Sequence, residues 1–248
     1  MKNAAIARVL AIMSAWSPAG PAAADIALTA SNAINAALEE LVPPFERASG
    51  HKVTMRLGVA AFLRKEIEGG AAFDVAILVG SLDRLVKDGR IAAGTPVALG
   101  RSGYGLAVRA GAPRPDIATT DAFRQAMLNA TSVGYTEGGG SGTYFVNLLG
   151  KLGIAEAMKP KLRPGTNTQA AVARGEIEMT VTGIVPILRS KGVELAGTLP
   201  PDLQSYSIFV AGISATTKEK EAAAALLRFL TTPEAVAVFK RRGVEPMP

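Results

Sequence analysis

From Asp25 onward the chain alternates short apolar runs with stretches whose apolar residues recur at helical spacing. That alternation confines it to the α/β architectures, because strands buried by intervening helices read this way and sandwiches or bundles do not. Ile26-Ala27-Leu28-Thr29-Ala30 predicts a first strand. Ser31 and Asn32 follow as helix-starting residues, and Ile34, Leu38 and Leu41 then share one helical face. Pro43-Pro44 predicts a break or restart, and Gly50 a stop. Val53 to Leu57 predicts a second strand, followed by a helix over Leu63 to Glu68 that Gly69-Gly70 ends. Asp74 to Val79 reads as a third strand, apolar enough to be buried on both faces. Ser81 is the expected cap of a short helix that carries Leu82, Leu85 and Val86 and closes at Gly89.

The middle of the chain repeats this grammar. Tyr104 to Arg109 predicts a strand, and Gly111 to Pro115 a turn-rich loop. Thr120 is the expected cap of a helix bearing Phe123 and Met127. Further strands are expected over Ser132 to Tyr135, Glu178 to Thr182 and Val193 to Leu195. Helices are expected over Thr143 to Leu152, Thr168 to Arg174 and Val185 to Ser190. A long strand, Tyr206 to Ile213, precedes a possible capping box at Thr216 and Glu219. Thr232-Pro233-Glu234 begins the last helix with proline at its first position. Strands near 104–109 and 206–213 are placed to cross between two comparable units. Periodicity alone leaves open two hinged lobes or one continuous doubly wound domain.

Residues 1–24 stand outside this pattern. Lys2 and Arg8 precede the apolar stretch Val9 to Met13, and Ala22-x-Ala24 offers small residues for cleavage. This is the pattern of a secretory leader, and Pro18 and Pro21 end the apolar run before it could span a bilayer. Cleavage near Ala24 starts the mature chain at Asp25 and places it in the periplasm. Removing Lys2 and Arg8 from the 27 basic residues lowers the formal charge from +6 to +4. The remaining basic residues are scattered, which argues against nucleic acid as a partner and tolerates a small anion. The chain has no cysteine and a single histidine, His51. Disulfides, thiol nucleophiles, Cys-based metal sites and multi-His metal sites are therefore excluded within one chain, and no metal or cofactor is expected.

The richest motif is Val133-Gly134-Tyr135-Thr136-Glu137-Gly138-Gly139-Gly140-Ser141-Gly142-Thr143-Tyr144. A strand enters a glycine-rich loop, and a helix begins with Ser141 and Thr143. Glycines admit a ligand close to the backbone, and a helix start offers free N–H groups to an anion. The motif lacks the Gly-Lys-Ser/Thr of a Walker loop and the spacing of a dinucleotide fingerprint. Ser31 occupies the matching place after strand one, and Gly58-Val59-Ala60-Ala61 follows strand two in the same way. Ligands of open α/β sheets lie outside the carboxyl ends of the strands, so two such units could close on one anion.

Several stretches in order resemble periplasmic solute-binding proteins of the molybdate-binding type: Thr29-Ala30-Ser31-Asn32-Ala33, Phe45-Glu46-Arg47-Ala48-Ser49-Gly50, and Arg64 to Gly70 running into Phe73-Asp74-Val75-Ala76-Ile77. Ser141-Gly142-Thr143-Tyr144 and Leu227 to Ala235 continue the likeness, which covers the mature chain. The resemblance implies a two-lobed type II periplasmic binding protein fold, each lobe a mixed sheet flanked by helices. Lobe one would comprise 25–102 and 212–248, and lobe two 103–211 with the crossover strands. It also implies a monomer that delivers a small anion to an ABC transporter permease. Position by position, the family's oxyanion contacts fall on Ser31 with Asn32, on Ser141 with Gly142 and Thr143, and near Thr168. Two positions depart from the family. The serine-rich segment after strand two is Gly58-Val59-Ala60-Ala61-Phe62, without a hydroxyl, and a late tyrosine is replaced by Thr182.

Leu99-Gly100-Arg101-Ser102-Gly103 and Arg109 to Ile117 resemble a divergent branch that includes aconitate-isomerase-like proteins. That likeness adds an organic polycarboxylate as a ligand and Arg101 as a planar fork for a carboxylate. It also opens a proton shift on a tricarboxylate, for which Glu137 and Tyr144 are the candidate acid and base. His51 starts strand two, at the end remote from the expected cleft. Without it no Ser-His-Asp arrangement can be built.

Overall fold

The structure, a computed structural model, describes residues 23–137 and 140–247. The expected leader up to Ala22, and Gly138 and Gly139 of the glycine loop, lie outside the described residues.

Among the described residues, ten strands form two five-stranded sheets. In the first, β1 (Asp25–Ser31) lies parallel between β2 (Lys52–Gly58) and β3 (Val75–Val79). The late strand β10 (Ser207–Ile213) pairs antiparallel with β3 and with the edge strand β4 (Val97–Ser102). The second sheet repeats the plan. β6 (Val133–Thr136) lies parallel between β7 (Leu162–Gly165) and β8 (Met179–Gly183), and β5 (Tyr104–Arg109) runs antiparallel to β8 and to the edge strand β9 (Val193–Thr198). Two mixed sheets with flanking helices make two α/β lobes. Strand β10 pairs in the first sheet along its whole length, so residues 207–211, assigned from sequence with the second lobe, pair with the first.

Strand β3 shows why the first sheet needs helices on both faces. Successive side chains point to opposite sides, so Val75 and Ile77 enter one core while Ala76 and Leu78 enter another. The first core is covered by α1 (Asn35–Ser49), α9 (Lys220–Leu230) and α10 (Pro233–Arg241). The second is closed by α2 (Ala60–Glu68) and α3 (Asp83–Lys87). The second sheet buries Leu106, Val133 and Val181 beneath α4 (Thr120–Asn129), α5 (Gly140–Lys151) and α6 (Ala155–Met158). Helices α7 (Thr168–Ala173) and α8 (Ile184–Arg189) complete that half.

Four local expectations are corrected. Helix α1 runs unbroken through Pro43 and Pro44. The carbonyls those prolines leave without donors belong to Glu39 and Glu40, on the outer side, while burial of Leu38, Leu41, Val42 and Phe45 holds the helix to the sheet. Thr119, not Thr120, caps α4 by accepting the Ala122 N–H. Ser81 accepts the N–H of Asp83, the first residue of α3, but the cap position itself is Leu82. Thr217, not Thr216, bonds the Glu219 N–H before α9, so no capping box forms there. Gly50 does end α1, in the left-handed conformation at φ 75° with its N–H on the Glu46 carbonyl.

The chain passes between the sheets at two neighbouring places. Ser102 ends β4 and Tyr104 opens β5, with Gly103 alone between them. On the return, Gln204 precedes β10 and its amide binds both backbone groups of Tyr104: Oε1 accepts the N–H at 2.7 Å and Nε2 donates to the carbonyl at 3.0 Å.

Candidate functional site

A cavity of about 250 Å³ lies between the two sheets, at the crossovers. The first sheet contributes Ala33, beyond the end of β1, and Val79 at the end of β3. The second contributes Ser141 in the first turn of α5, with Thr182 and Gly183 at the end of β8. Ser102, Gly103, Tyr104 and Ser207 close the crossover side. Carboxyl ends of parallel strands from both sheets thus meet at one space, the usual ligand position in open α/β folds.

The local sequence explains how Ser141 is delivered there. A Cβ on Gly142 would fall 1.8 Å from the Thr136 carbonyl oxygen, so only glycine lets α5 start this close to the end of β6. Gly142 therefore acts through packing, and the half-buried Ser141 beside it faces the cavity. Thr182 is buried at the other side of the same wall, in register with Gly105 of β5.

The other expected contacts are arranged differently. Ser31 is buried and its Oγ accepts the Ala33 N–H at 3.4 Å, so it caps the turn that brings Ala33 to the cavity. Asn32 is exposed, and its carbonyl accepts from Arg189 of α8 at 3.3 Å, a bond that ties the two halves together. Gly58 pairs with Ser31, while Val59 is 55% exposed, and neither lines the cavity. Thr143 is exposed on α5. Thr168 is buried with its hydroxyl 2.7 Å from that of Thr180. Since the Thr180 proton goes to the Gly134 carbonyl, Thr168 is the donor of this pair and its proton is committed internally.

Arg101 sits on the strand next to Ser102, and neighbours on a strand face opposite ways. With Ser102 at the cavity, Arg101 turns from it, and its guanidinium carbon lies 4.1 Å from the centre of the Tyr206 ring. Glu137 is exposed, with its N–H on the Gly165 carbonyl at 3.3 Å. Tyr144 stacks on Tyr104 with ring centres 4.4 Å apart and donates its hydroxyl to the Leu203 carbonyl. It lines a separate surface cavity with Lys151 and Asp202. His51 is buried at the far end of β2, where Nδ1 accepts the Ala24 N–H at 3.2 Å.

Three hydroxyl-bearing cavity residues were not singled out as contacts from sequence: Ser102, Tyr104 and Ser207. The available signal was polar or glycine interruption between strands, in Ser102-Gly103-Tyr104 and Ser205-Tyr206-Ser207. Burial pushes the Tyr104 phenol above its ordinary pKa of 10.0, with the Ser207 side chain opposing the rise. It stays a neutral donor through physiological pH. Among the described residues lining the cavity none is an acid, a lysine, an arginine or a histidine. Among the described residues generally, no cluster of His, Cys, Asp or Glu is placed to hold a metal ion.

Comparison with known proteins agrees with this architecture. A family model described as bacterial extracellular solute-binding protein matches residues 26–245. The chain is similar to an aconitate isomerase from Pseudomonas sp, 29% identical over 90% of this chain and 88% of the relative. It is also similar to the molybdate-binding protein ModA of Escherichia coli K12, 27% identical over 91% of each. Among solved structures, the periplasmic molybdate-binding protein of Azotobacter vinelandii superposes with a TM-score of 0.69 at 17% identity, covering 90% of this chain and 99% of that one.

Proposed function

This chain belongs to the bacterial extracellular solute-binding proteins, and from that premise we propose that it is exported to the periplasm, captures a small anion between its lobes as a monomer, and passes it to an ABC transporter permease. The observation that carries the reading is the composition of the cavity wall. Five hydroxyl-bearing residues, Ser102, Tyr104, Ser141, Thr182 and Ser207, line it from both sheets and both crossovers, with no carboxylate among the described lining residues. One ligand can therefore touch both lobes, and rotation at the crossovers would close them on it. The first turn of α5 adds backbone N–H groups and the favourable end of a helix dipole. The ligand class is a metal oxyanion, as in the molybdate-binding relatives, or an organic polycarboxylate, as in the aconitate isomerase relative.

That last relative favours a second reading, a proton shift on a tricarboxylate. A general base must come within hydrogen-bonding reach of the proton it moves. Glu137 is exposed and the Tyr144 hydroxyl is held by the Leu203 carbonyl, away from the cavity. The arrangement supports capture over catalysis.

Thermal shifts of the mature protein with molybdate, tungstate, sulfate, phosphate, citrate and both aconitate isomers test the proposal. A ligand at a hundredfold excess over its Kd stabilises the folded state by about 2.7 kcal/mol, which corresponds to a Tm rise of about 5–11 °C at this size. No shift with any of these anions would remove the anion reading. Proton NMR of aconitate incubated with the protein separates the two functions, since a binder leaves the cis/trans ratio unchanged.

A further inference from the structure

The crossover hydroxyls carry an inference that rests on the reading of the cleft as an anion site and sharpens it. Ser102 ends β4, Ser207 begins β10, and the two are direct antiparallel partners. Directly opposed residues share one face of a sheet, with Cβ atoms about 5 Å apart, and both line the cavity. Tyr104 opens the other sheet two residues later, lines the same wall and lies beside Ser207. Each connecting segment thus brings a hydroxyl to one spot, the axis about which the lobes would turn.

Ser102 is the telling member. The residue is 7% exposed, and its Oγ is buried without a hydrogen-bond partner. Leaving a buried hydroxyl unsatisfied costs about 1–3 kcal/mol, and alanine would avoid that cost. Ser102 is also one of the residues that line the cavity, so its unpartnered hydroxyl lies close to any ligand held there.

The rest of the wall says what kind of ligand reaches it. Val79, Val185 and Phe209 line the same cavity as Ser141 and the crossover serines. A compact inorganic oxyanion presents oxygens on every side, and apolar walls leave them unsatisfied. A carbon skeleton with polar groups at separated positions meets both kinds of wall.

The geometry points to a second ligand subsite at the hinge, formed by Ser102, Ser207 and Tyr104, that receives the distal carboxylate or hydroxyl of an organic anion whose leading carboxylate is held at Ser141.

Isothermal titration with citrate, trans-aconitate and molybdate, on the mature wild type and on Ser102→Ala and Ser207→Ala, tests this. Citrate or trans-aconitate is expected to bind the wild type and to lose affinity about tenfold or more in Ser102→Ala, the size of one hydrogen bond to a charged group. The ligand-free Tm of Ser102→Ala should stay level or rise, because the substitution removes an unsatisfied group. Unchanged affinity in Ser102→Ala overturns the subsite and leaves anion capture standing, as does a clear fall in its ligand-free Tm, which marks a structural role. If Ser102→Ala does not fold, Ser207→Ala decides by the same affinity criterion. A wild type that binds molybdate and neither polycarboxylate overturns the organic class and the subsite with it, and leaves anion capture standing. A wild type that binds none of the three overturns the anion reading and the subsite together.

Discussion

At the scale of single residues, the glycines of α5 look alike in sequence and are separated only by what a methyl group would meet. A Cβ on Gly142 would be 1.8 Å from the Thr136 carbonyl oxygen, whereas one on Gly150 would meet nothing within 4 Å. Gly142→Ala must push the helix start from β6, at a cost of about 1–3 kcal/mol or more, as overpacking does. It should also move Ser141 off the cavity wall and weaken ligand binding. Gly150→Ala should stabilise the protein by about 0.5–1 kcal/mol through helix propensity alone and leave binding unchanged. Urea unfolding and ligand titration on both variants check this pair, and equal effects would refute the packing role of Gly142. Ser141 was legible from its place where a strand passes into a helix, and Thr182 only through the family resemblance; both line the cavity. Thr168 was legible as a position but not as a role, since its donor goes to Thr180, a residue on a strand twelve positions away.

At the scale of elements, strongly apolar strands such as β1 and β3 were readable because burial on both faces demands it. Strands β4 and β7 were not. Residues Leu162–Gly165 are Leu-Arg-Pro-Gly, a sequence tolerated because Pro164 lies on an edge strand with no ladder to serve on its outer side. Long-range tethers were equally invisible. Glu40 of α1 binds Arg241 at 2.5 Å and Arg242 at 2.9 Å, which fastens the last helix to the first. The hydrogen bond from Arg241, then that from Arg242, holds the Glu40 carboxyl below its ordinary value of 4.5. The carboxylate is thus favoured more in the folded chain than in the unfolded one, so this tether contributes at pH above the ordinary value and is lost as pH falls through the lowered one. Hydrogen exchange should show α10 opening more readily below that point than at neutral pH. Glu40→Gln should bring the looser behaviour to neutral pH and flatten its acid dependence. An unchanged acid dependence in Glu40→Gln would assign it to other carboxylates.

At the scale of the whole molecule, the two sheets repeat one strand order, and what makes them one binding unit is the pair of crossovers. The strand pattern places crossovers near 104–109 and 206–213, but no periodicity shows that they are neighbours, because Tyr104 and Gln204 meet across a separation of a hundred residues. For the same reason Ser102 and Ser207 could not be recognised as neighbours before β4 and β10 were paired. The Gln204 amide binds the Tyr104 N–H and shares its carbonyl with the Leu199 N–H, and Gly103 leaves room for it: a Cβ there would be 2.8 Å from both Cδ and Oε1 of Gln204. Gln204→Ala should cost about 2 kcal/mol, since two backbone bonds worth about 1 kcal/mol each are lost. At this chain length that lowers Tm by about 4–8 °C. Gly103→Ala should cost a similar amount, by displacing the same amide. The double variant separates this account from independent effects. With the glutamine amide gone, the added methyl has nothing to displace, so Gly103→Ala in the Gln204→Ala background should be close to neutral. Residues in contact give such non-additive cycles, whereas independent sites sum. Additive losses in the double variant would mean that Gly103 serves the backbone path itself and that the clamp does not run through Gln204.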